Sequence, residues 1–455
     1  MQSISIVCSG NFHRINYFLG QDLKNKGFKV NYLSMNFKSH EYLKKKGVDT
    51  IYLYNKFNEI FNKTNNTELD NLDWNIYRSL KADKSHWIKK NAEYQEKSAL
   101  TFLKIFEKWS SKISNNIFFP IIESMDSFLL YEFCKYNGKK TFIYCHGRVF
   151  DYSFFSDSHK ETLPLYRKMI PITDENSKES IAILKELKSS KSNLDYNVQA
   201  ERFSFKESEI YKEDKVLEFW IIRLLKNIYY QLTYEKHNQL FSFFTKFLVS
   251  INSFLVPIQK ILYIVFENIY LKPLKSYLKP YDFFALHFSP ESSINTPNPE
   301  FIDQLRVVDK ILLDRTDSSR LLLIKEHPAM YFKRPFNFYS TLKKNPLVRF
   351  VSSNSNTKGW YRNAENVHSV TGTILLESFI DGKPWNKIGN NFLDDVKSNN
   401  MNIEDFVAEL LSVSGDFVYY SPPNKKNKKY LRLFSRENIF NMSQNLILHI
   451  NTSNL

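Results

Sequence analysis

The stretch LLLIKEHPAMYFKRP, Leu321 to Pro335, runs four consecutive apolar residues into Lys325, Glu326, His327 and Pro328. A short apolar run closed by proline reads as a buried β-strand that stops at a rim, because proline brings no N–H to a ladder. Similar runs surround it. "DFFALHFSP" precedes it, and "LVRFVSSNS", "ENVHSVTG" and "PWNKIG" follow, with helical patterns at Pro299 to Leu313, Phe336 to Lys344, Lys358 to Asn363 and "TILLESFIDG". Strands alternating with helices predict βα units on a parallel sheet.

The same rhythm opens the chain. "SISIVCSG", "FKVNYLSM", "VDTIYLYN", "NNIFFPII", "KTFIYCHG" and "RKMIPIT" read as strands. Helices are expected around Phe12 to Lys26, Ser39 to Lys46, Ala92 to Ser111 and Asp126 to Tyr136, and "NSKESIAILKEL" closes the region near Leu187. At 455 residues the chain exceeds one ordinary core. The expectation is an α/β protein of two Rossmann-like domains facing one cleft, residues 1–188 and 281–434. A helical, aromatic and basic insertion occupies 189–280, and a terminal helix 435–455.

Within the insertion, Val216 to Tyr277 is dense in Phe, Tyr, Leu and Ile and dotted with lysine and arginine. Lys246, Pro257, Lys260 and Glu267 interrupt it, leaving 13 uncharged residues from Phe247 to Gln259, short of the roughly 20 that a membrane span needs. Two readings stand: an amphipathic segment lying on an anionic membrane, or a helical insertion packed between domains.

A formal charge of +15 favours anionic partners. No zinc-finger spacing, RRM signature or arginine-rich arm points to nucleic acid. Cys8, Cys134 and Cys145 lie far apart in apolar runs, as reduced thiols of a cytoplasmic protein would. The start "MQSISIVCSGNFHR" lacks a basic n-region and reads as a strand, not as a signal peptide.

Ligands of parallel α/β sheets bind beyond the carboxyl ends of the strands. In the second half those ends carry "HFSPES", "KEHP", "SSNS" and "TGT". Thr371, Gly372 and Thr373 turn from strand to helix and offer free N–H groups to a phosphate, or else form an ordinary capped turn. Glu377, one helical turn on, is placed for ribose hydroxyls. His327 would face a phosphate, with Lys325 and Arg334 adding charge, Pro328 holding the rim and Ser352 beside it. Ser289 and Glu291 read either as helix-start chemistry or as part of the donor pocket. On the acceptor side stand Gly10, His13 and Arg14 after the first strand, and His146 and Arg148 after "TFIYC". Glu123, emerging from an apolar strand, is the candidate acid/base carboxylate, or a buried structural one. DxD, HExxH, GxGxxG, Walker A and GxSxG motifs are missing from the sequence.

Together, "ALHFSPESSINTPNPEFIDQ", "LLLIKEHPAMYFKRPFNFYSTL" and "VTGTILLESFIDGKPWNKIG" resemble the C-terminal half of bacterial capsular-polysaccharide biosynthesis proteins. These are similar to retaining β-Kdo glycosyltransferases and, more remotely, to bacterial sialyltransferases. The likeness spans Phe283 to Phe392 and keeps the order and spacing of three motifs; "IIESMDS" and "YCHGR" match more loosely. It implies a GT-B fold with the donor nucleotide on the C-terminal domain. It also implies that His327 contacts the phosphate of a CMP-sugar, that Thr371 to Thr373 form the small-residue turn, and that Glu377 binds ribose. Trp385 departs from the aliphatic residue usual after "GKP". The catalytic carboxylates, Glu123 and Glu291 here, do not align securely.

The expected activity is transfer of Kdo or a related ulosonic acid from its CMP conjugate to a glycan or glycolipid of the capsule or lipopolysaccharide. No metal, cofactor or nucleic acid is expected, and the protein would sit at the inner face of the cytoplasmic membrane. A UDP- or GDP-sugar donor and a non-catalytic capsule-assembly scaffold are the alternatives.

Overall fold

Apolar runs of four to seven residues pack both faces of a parallel sheet, and here they do so twice. The computed structural model describes residues 2–9, 12–64, 79–80, 92–122, 124–189, 259–288, 294, 296–315, 317–331, 333–394, 396, 400–420 and 428–454. Among these, one compact unit takes in residues up to Ser180 and from Glu404 onward. The other takes in 181–189 and residues from 259 to Ile403.

The first unit contains β1 (Ser3–Cys8), α1 (His13–Asn25), β2 (Lys29–Ser34), α2 (Phe37–Lys45), β3 (Thr50–Tyr52) and α3 (Phe57–Lys63). It continues with α4 (Ala92–Trp109), β4 (Asn116–Phe119), α5 (Met125–Tyr136), β5 (Lys140–His146) and β6 (Tyr152–Ser156); α6 (Asp174–Ser189) follows. Its sheet has β3, β2, β1, β4 and β5 side by side and parallel, the Rossmann order. Alternation along β1 divides the core. Ile4, Ile6 and Cys8 pack with Leu19 and Leu23 of α1, while Val7 packs on the opposite face with Phe102, Phe106 and Phe128. The three cysteines are buried, and burial pushes the Cys8 and Cys134 thiols up to about 12, so they pack as apolar groups.

Two expectations are corrected here. "RKMIPIT" is not a strand: Leu165–Met169 is a 3₁₀ turn with Leu165 and Met169 exposed, and Pro171 offers no ladder N–H. The next place in the sheet goes to β6, antiparallel to β5. The expected boundary near 434 also falls earlier, because α11 (Ile403–Val413) and β12 (Gly415–Asp416) lie ahead of it and β12 pairs antiparallel with β6. Then come α12 (Lys428–Leu433) and α13 (Arg436–Thr452), the latter packed on α1.

The second unit begins with a helix at 259–266 that widens into a π-helical turn at Glu267–Leu271. Residues 190–258, most of the expected insertion, lie outside the described residues. No helix among the described residues is long and apolar enough to cross a membrane. After it come β7 (Tyr281–Ala285), α7 (Gln304–Asp314), β8 (Leu321–Lys325), α8 (Phe336–Lys344), β9 (Val348–Val351), α9 (Thr357–Arg362), β10 (Asn366–Ser369), α10 (Ile374–Ile380) and β11 (Trp385–Lys387). All five strands are parallel, in the order β11, β10, β7, β8, β9. Leu322 and Ile324 bury on one face with Tyr263 and Tyr339, and Leu323 on the other with Trp360 and Tyr361. The fold is thus α/β, with two Rossmann-like units.

His449 of α13 illustrates how tightly the first unit closes. It is fully buried; its Nε2–H donates to the Val413 carbonyl at 2.8 Å, and Nδ1 accepts from the Tyr166 hydroxyl at 2.5 Å. Burial pushes the imidazole from 6.5 down to about 4. The unfolded chain binds this proton more readily, so the contribution to stability is complete above pH 6.5 and is lost as pH falls towards 4. The melting temperature is expected to fall across that window, and less steeply in His449→Gln; equal slopes would contradict a neutral buried imidazole.

Candidate functional site

In the second unit the chain leaves β7 towards β8 on one side and later returns to β10 on the other. The carboxyl ends of β7 and β10 therefore flank a topological switch point. Because the strands are parallel, the segments after β7, β8, β9 and β10 leave by one edge.

His287, two residues past β7, organises this edge. Its N–H donates to Gln304 Oε1 at 2.9 Å, and its carbonyl accepts from Gln304 Nε2 at 3.1 Å and from Arg334 Nη2. The ring Nε2 accepts the Val370 N–H at 3.1 Å and lies 2.9 Å from Ser369 Oγ. An acceptor at Nε2 makes the imidazole neutral, with its proton on Nδ1. Ser369 Oγ accepts the Gly372 N–H at 3.0 Å, so this N–H of the turn is not free as expected but is held within the chain. A Cβ at position 372 would lie 2.6 Å from that oxygen and 3.2 Å from His287 Cε1, which explains the glycine in "TGT". Thr371 is buried, and Thr373 opens α10 without a side-chain cap bond.

Glu326 is the second organiser. Only 2% exposed, it accepts Arg334 Nε at 3.0 and 3.2 Å, the Tyr339 hydroxyl at 2.9 Å and the His327 N–H at 2.7 Å. Arg334, fixed in this way, is the group that reaches the His287 carbonyl. Neither His287 nor Glu326 was singled out as a site residue from the sequence. The available signal was their place at the ends of apolar strands, which does not reveal which way each side chain turns.

His327 is half-buried, its ring 6.0 Å from that of Phe288. Burial, then Arg334, Lys325 and Lys333, push its imidazole down to about 4, so it is neutral near pH 7. Lys325 is buried and donates to Thr357 Oγ1 at 2.8 Å; burial lowers its pKa. Pro328 starts a 3₁₀ turn that brings the Met330 N–H to the His327 carbonyl at 2.9 Å. Beside these residues a cavity of about 560 Å³ is lined by Lys260, Lys325, Pro328, Tyr331 and residues 353–357. Ser352 is not in its wall. Ser353 is, and both its N–H and its hydroxyl are taken by buried Glu267, at 2.7 and 3.1 Å. Burial raises the Glu267 pKa.

Glu377 lies on α10. Burial pushes its carboxyl up to about 7; Lys358 opposes the shift and Asp381 adds to it. Asp381 itself is held by the Tyr361 hydroxyl at 2.8 Å and by Arg362 at 2.7 and 3.0 Å.

Of the remaining expected residues, Glu123, Gly10, Ser289 and Glu291 lie outside the described residues. In the first unit His13 is buried, its Nδ1 3.4 Å from Ser39 Oγ and its ring 4.9 Å from that of Tyr42, so it faces α2. Arg14 is half-buried in the first turn of α1. His146 ends β5 and accepts the Arg148 N–H at 2.9 Å. Arg148 and Phe150 both adopt left-handed backbone, with φ of 60° and 46°. That conformation costs about 1–2 kcal/mol for a residue with a side chain.

Glu326→Ala would strand Arg334 as a buried unpaired cation. Loss of about 3–5 kcal/mol in chemical denaturation is expected, against about 1 kcal/mol for Tyr339→Phe. Equal, small losses would refute the central place given to the pair.

No protein-family model matches the chain, and no curated protein matches it. Among solved structures it is similar to the β-Kdo 2,7 transferase KpsC of Thermosulfurimonas dismutans, with 12% identity over 97% of this chain and 99% of that one and a TM-score of 0.33. It is also similar to the UDP-GlcNAc 2-epimerase of Methanocaldococcus jannaschii, with 11% identity over 100% of both chains and a TM-score of 0.23. A glycosyltransferase of Rickettsia africae gives 12% identity over 100% of this chain and 97% of that one, with a TM-score of 0.22.

Proposed function

We propose that the chain is a glycosyltransferase whose nucleotide-sugar donor binds at the carboxyl edge of the second unit's sheet. The observation that carries the reading is the rim cavity with Lys325 in its wall and the neutral His327 beside it, at the carboxyl edge of the parallel sheet beyond β8 and β9, the edge by which α/β sheets bind ligands. The motifs "KEHP" and "TGT" and the order in which they follow "HFSPES" support the donor being a CMP-linked ulosonic acid, Kdo or a relative. The acceptor is then a glycan or glycolipid of a bacterial surface polysaccharide.

In this reading His327 donates an N–H to the donor phosphate, the turn at Thr371 to Thr373 seats it, and Glu377 accepts from ribose. The bond from the anomeric carbon to the phosphate oxygen breaks, and the sugar passes to the acceptor oxygen either directly or by way of a covalent ester with a carboxylate that the acceptor oxygen then displaces. CMP leaves with the electron pair, and the acceptor proton passes to a carboxylate, Glu123 or Glu291. Cations gathered at the rim stabilise the departing phosphate without a metal. His13, Arg14, His146 and Arg148 are assigned to the acceptor side, with His13 supporting through α2. Work at the inner face of the cytoplasmic membrane belongs to the same proposal.

Thermal-shift measurements with CMP, UDP and GDP test the donor. CMP at 100 times its dissociation constant is expected to add about 2.7 kcal/mol, with little effect from UDP or GDP. Stabilisation by UDP or GDP alone would overturn the CMP assignment, and none by any nucleotide would overturn the donor site itself.

Histidine titration followed by NMR tests His327 separately. A phosphate dianion beside the ring favours its charged form, so CMP is expected to raise the imidazole from about 4 towards 6.5. His327→Ala should lose transfer and keep the fold. An unmoved titration in the presence of bound CMP would remove the phosphate-contact role.

A further inference from the structure

The helix that backs the rim cavity also has an outer side. Tyr263 stacks on Tyr331 with ring centroids 4.6 Å apart, and Glu267 holds Ser353, so one face is committed to the core. On the other, Ile261, Leu262, Val265 and Ile269 are 50 to 70% exposed. Spaced i, i+1, i+4 and i+8, they form one stripe along the helix. Phe336 of α8, 60% exposed, extends the stripe through ring contacts with Phe266 and Tyr270 at 6.2 and 5.0 Å.

Charge around the stripe has a single sign. Lys272, Lys275 and Lys279 are exposed on the segment that follows the helix and is joined to β9 through the Leu274 N–H and the Phe350 carbonyl, 2.8 Å apart. Lys343, Lys344 and Arg349 are exposed close by; Lys343 lies 4.1 Å over the Tyr270 ring and donates to the Tyr270 carbonyl at 2.6 Å. Among the described residues 259–280 and 336–349 the one carboxylate is Glu267, and it is buried.

We infer that this face, helix 259–271 with its lysine-bearing continuation and the adjoining α8–β9 edge, docks on an anionic lipid surface. Apolar side chains set among cations are what an interface of acyl chains and acidic headgroups recognises. A soluble polyanion would use the lysines and leave the stripe in water. The inference concerns binding alone and stands apart from the transfer reaction. It also gives that reaction a place, because Lys260 of the same helix lines the rim cavity.

Co-sedimentation of the full chain with phosphatidylcholine vesicles, with and without phosphatidylglycerol, tests it in the absence of donor or acceptor. Binding is expected only with phosphatidylglycerol. The triple variant Lys272→Gln, Lys275→Gln, Lys279→Gln should partition about 100-fold less, each lysine near such a surface contributing roughly fivefold. Leu262→Ser with Ile269→Ser should also weaken partitioning at least about tenfold, each loss costing roughly 1 kcal/mol or more. All these positions are exposed, so unchanged melting temperatures verify the fold. Vesicle binding by the wild type that neither variant alters, or no binding at all, overturns the proposal. Loss in the lysine variant alone identifies a general polyanion site instead. A wild-type dimer dissociated by Leu262→Ser with Ile269→Ser, without change in vesicle binding, identifies an interface between copies.

Discussion

A carboxylate turned inward at the end of a strand holds the second unit's edge together. Glu326 follows the last residue of β8 and could have pointed to solvent; instead it accepts Arg334, Tyr339 and the backbone N–H of His327. A buried ion pair of this kind is worth little against apolar replacement but much against the loss of one partner. Its structural effect is to tie three segments to one point. The loop after β8, the helix α8 and, through Arg334, the chain after β7 share a single hydrogen-bonded centre. His287 is thereby held against Ser369 and Val370, and the turn at Gly372 has one shape open to it.

The rim is electrically unbalanced towards positive charge. Lys325, Lys333 and Arg334 all disfavour protonation of His327, and burial disfavours it further. A histidine kept neutral by neighbouring cations becomes a responsive donor, because an arriving anion offsets those cations and strengthens the ring N–H. Glu377 is shifted the opposite way, its carboxyl raised to about 7 by burial. The edge thus holds two groups, a histidine and a glutamate, that burial pushes towards their uncharged forms.

Much of this was legible in the sequence because apolar runs and punctuation by glycine and proline are local signals. All five strands of the second sheet and helix α8 follow directly from them, and so does the emergence of the four polar clusters at one edge. What was not legible depends on partners distant along the chain. β6, with its "YSFFS", is too short and too mixed to announce a strand, and "RKMIPIT" imitates one better than it does. β12 is two residues long and exists because β6 offers it an edge. Glu326 looks like any rim glutamate until Arg334 and Tyr339 surround it. His287 stands in the polar cluster "HFSPES" at a strand's end with nothing to single it out, and its role arises from β10, more than eighty residues on.

The pairing of β12 with β6 and of α13 with α1 also sets an order of assembly. Phe417, Tyr419, Met442 and Leu446 belong to the same buried cluster as Ile4, Ile6 and Leu19. The first unit therefore cannot finish its core when residue 180 leaves the ribosome. It must wait for residues 404–454, roughly 10–50 s at ordinary rates of synthesis, while the complete second unit emerges in between. The half of the protein that is made first is the half that finishes last, and its α1 face remains open to chaperones, or to aggregation, throughout that interval.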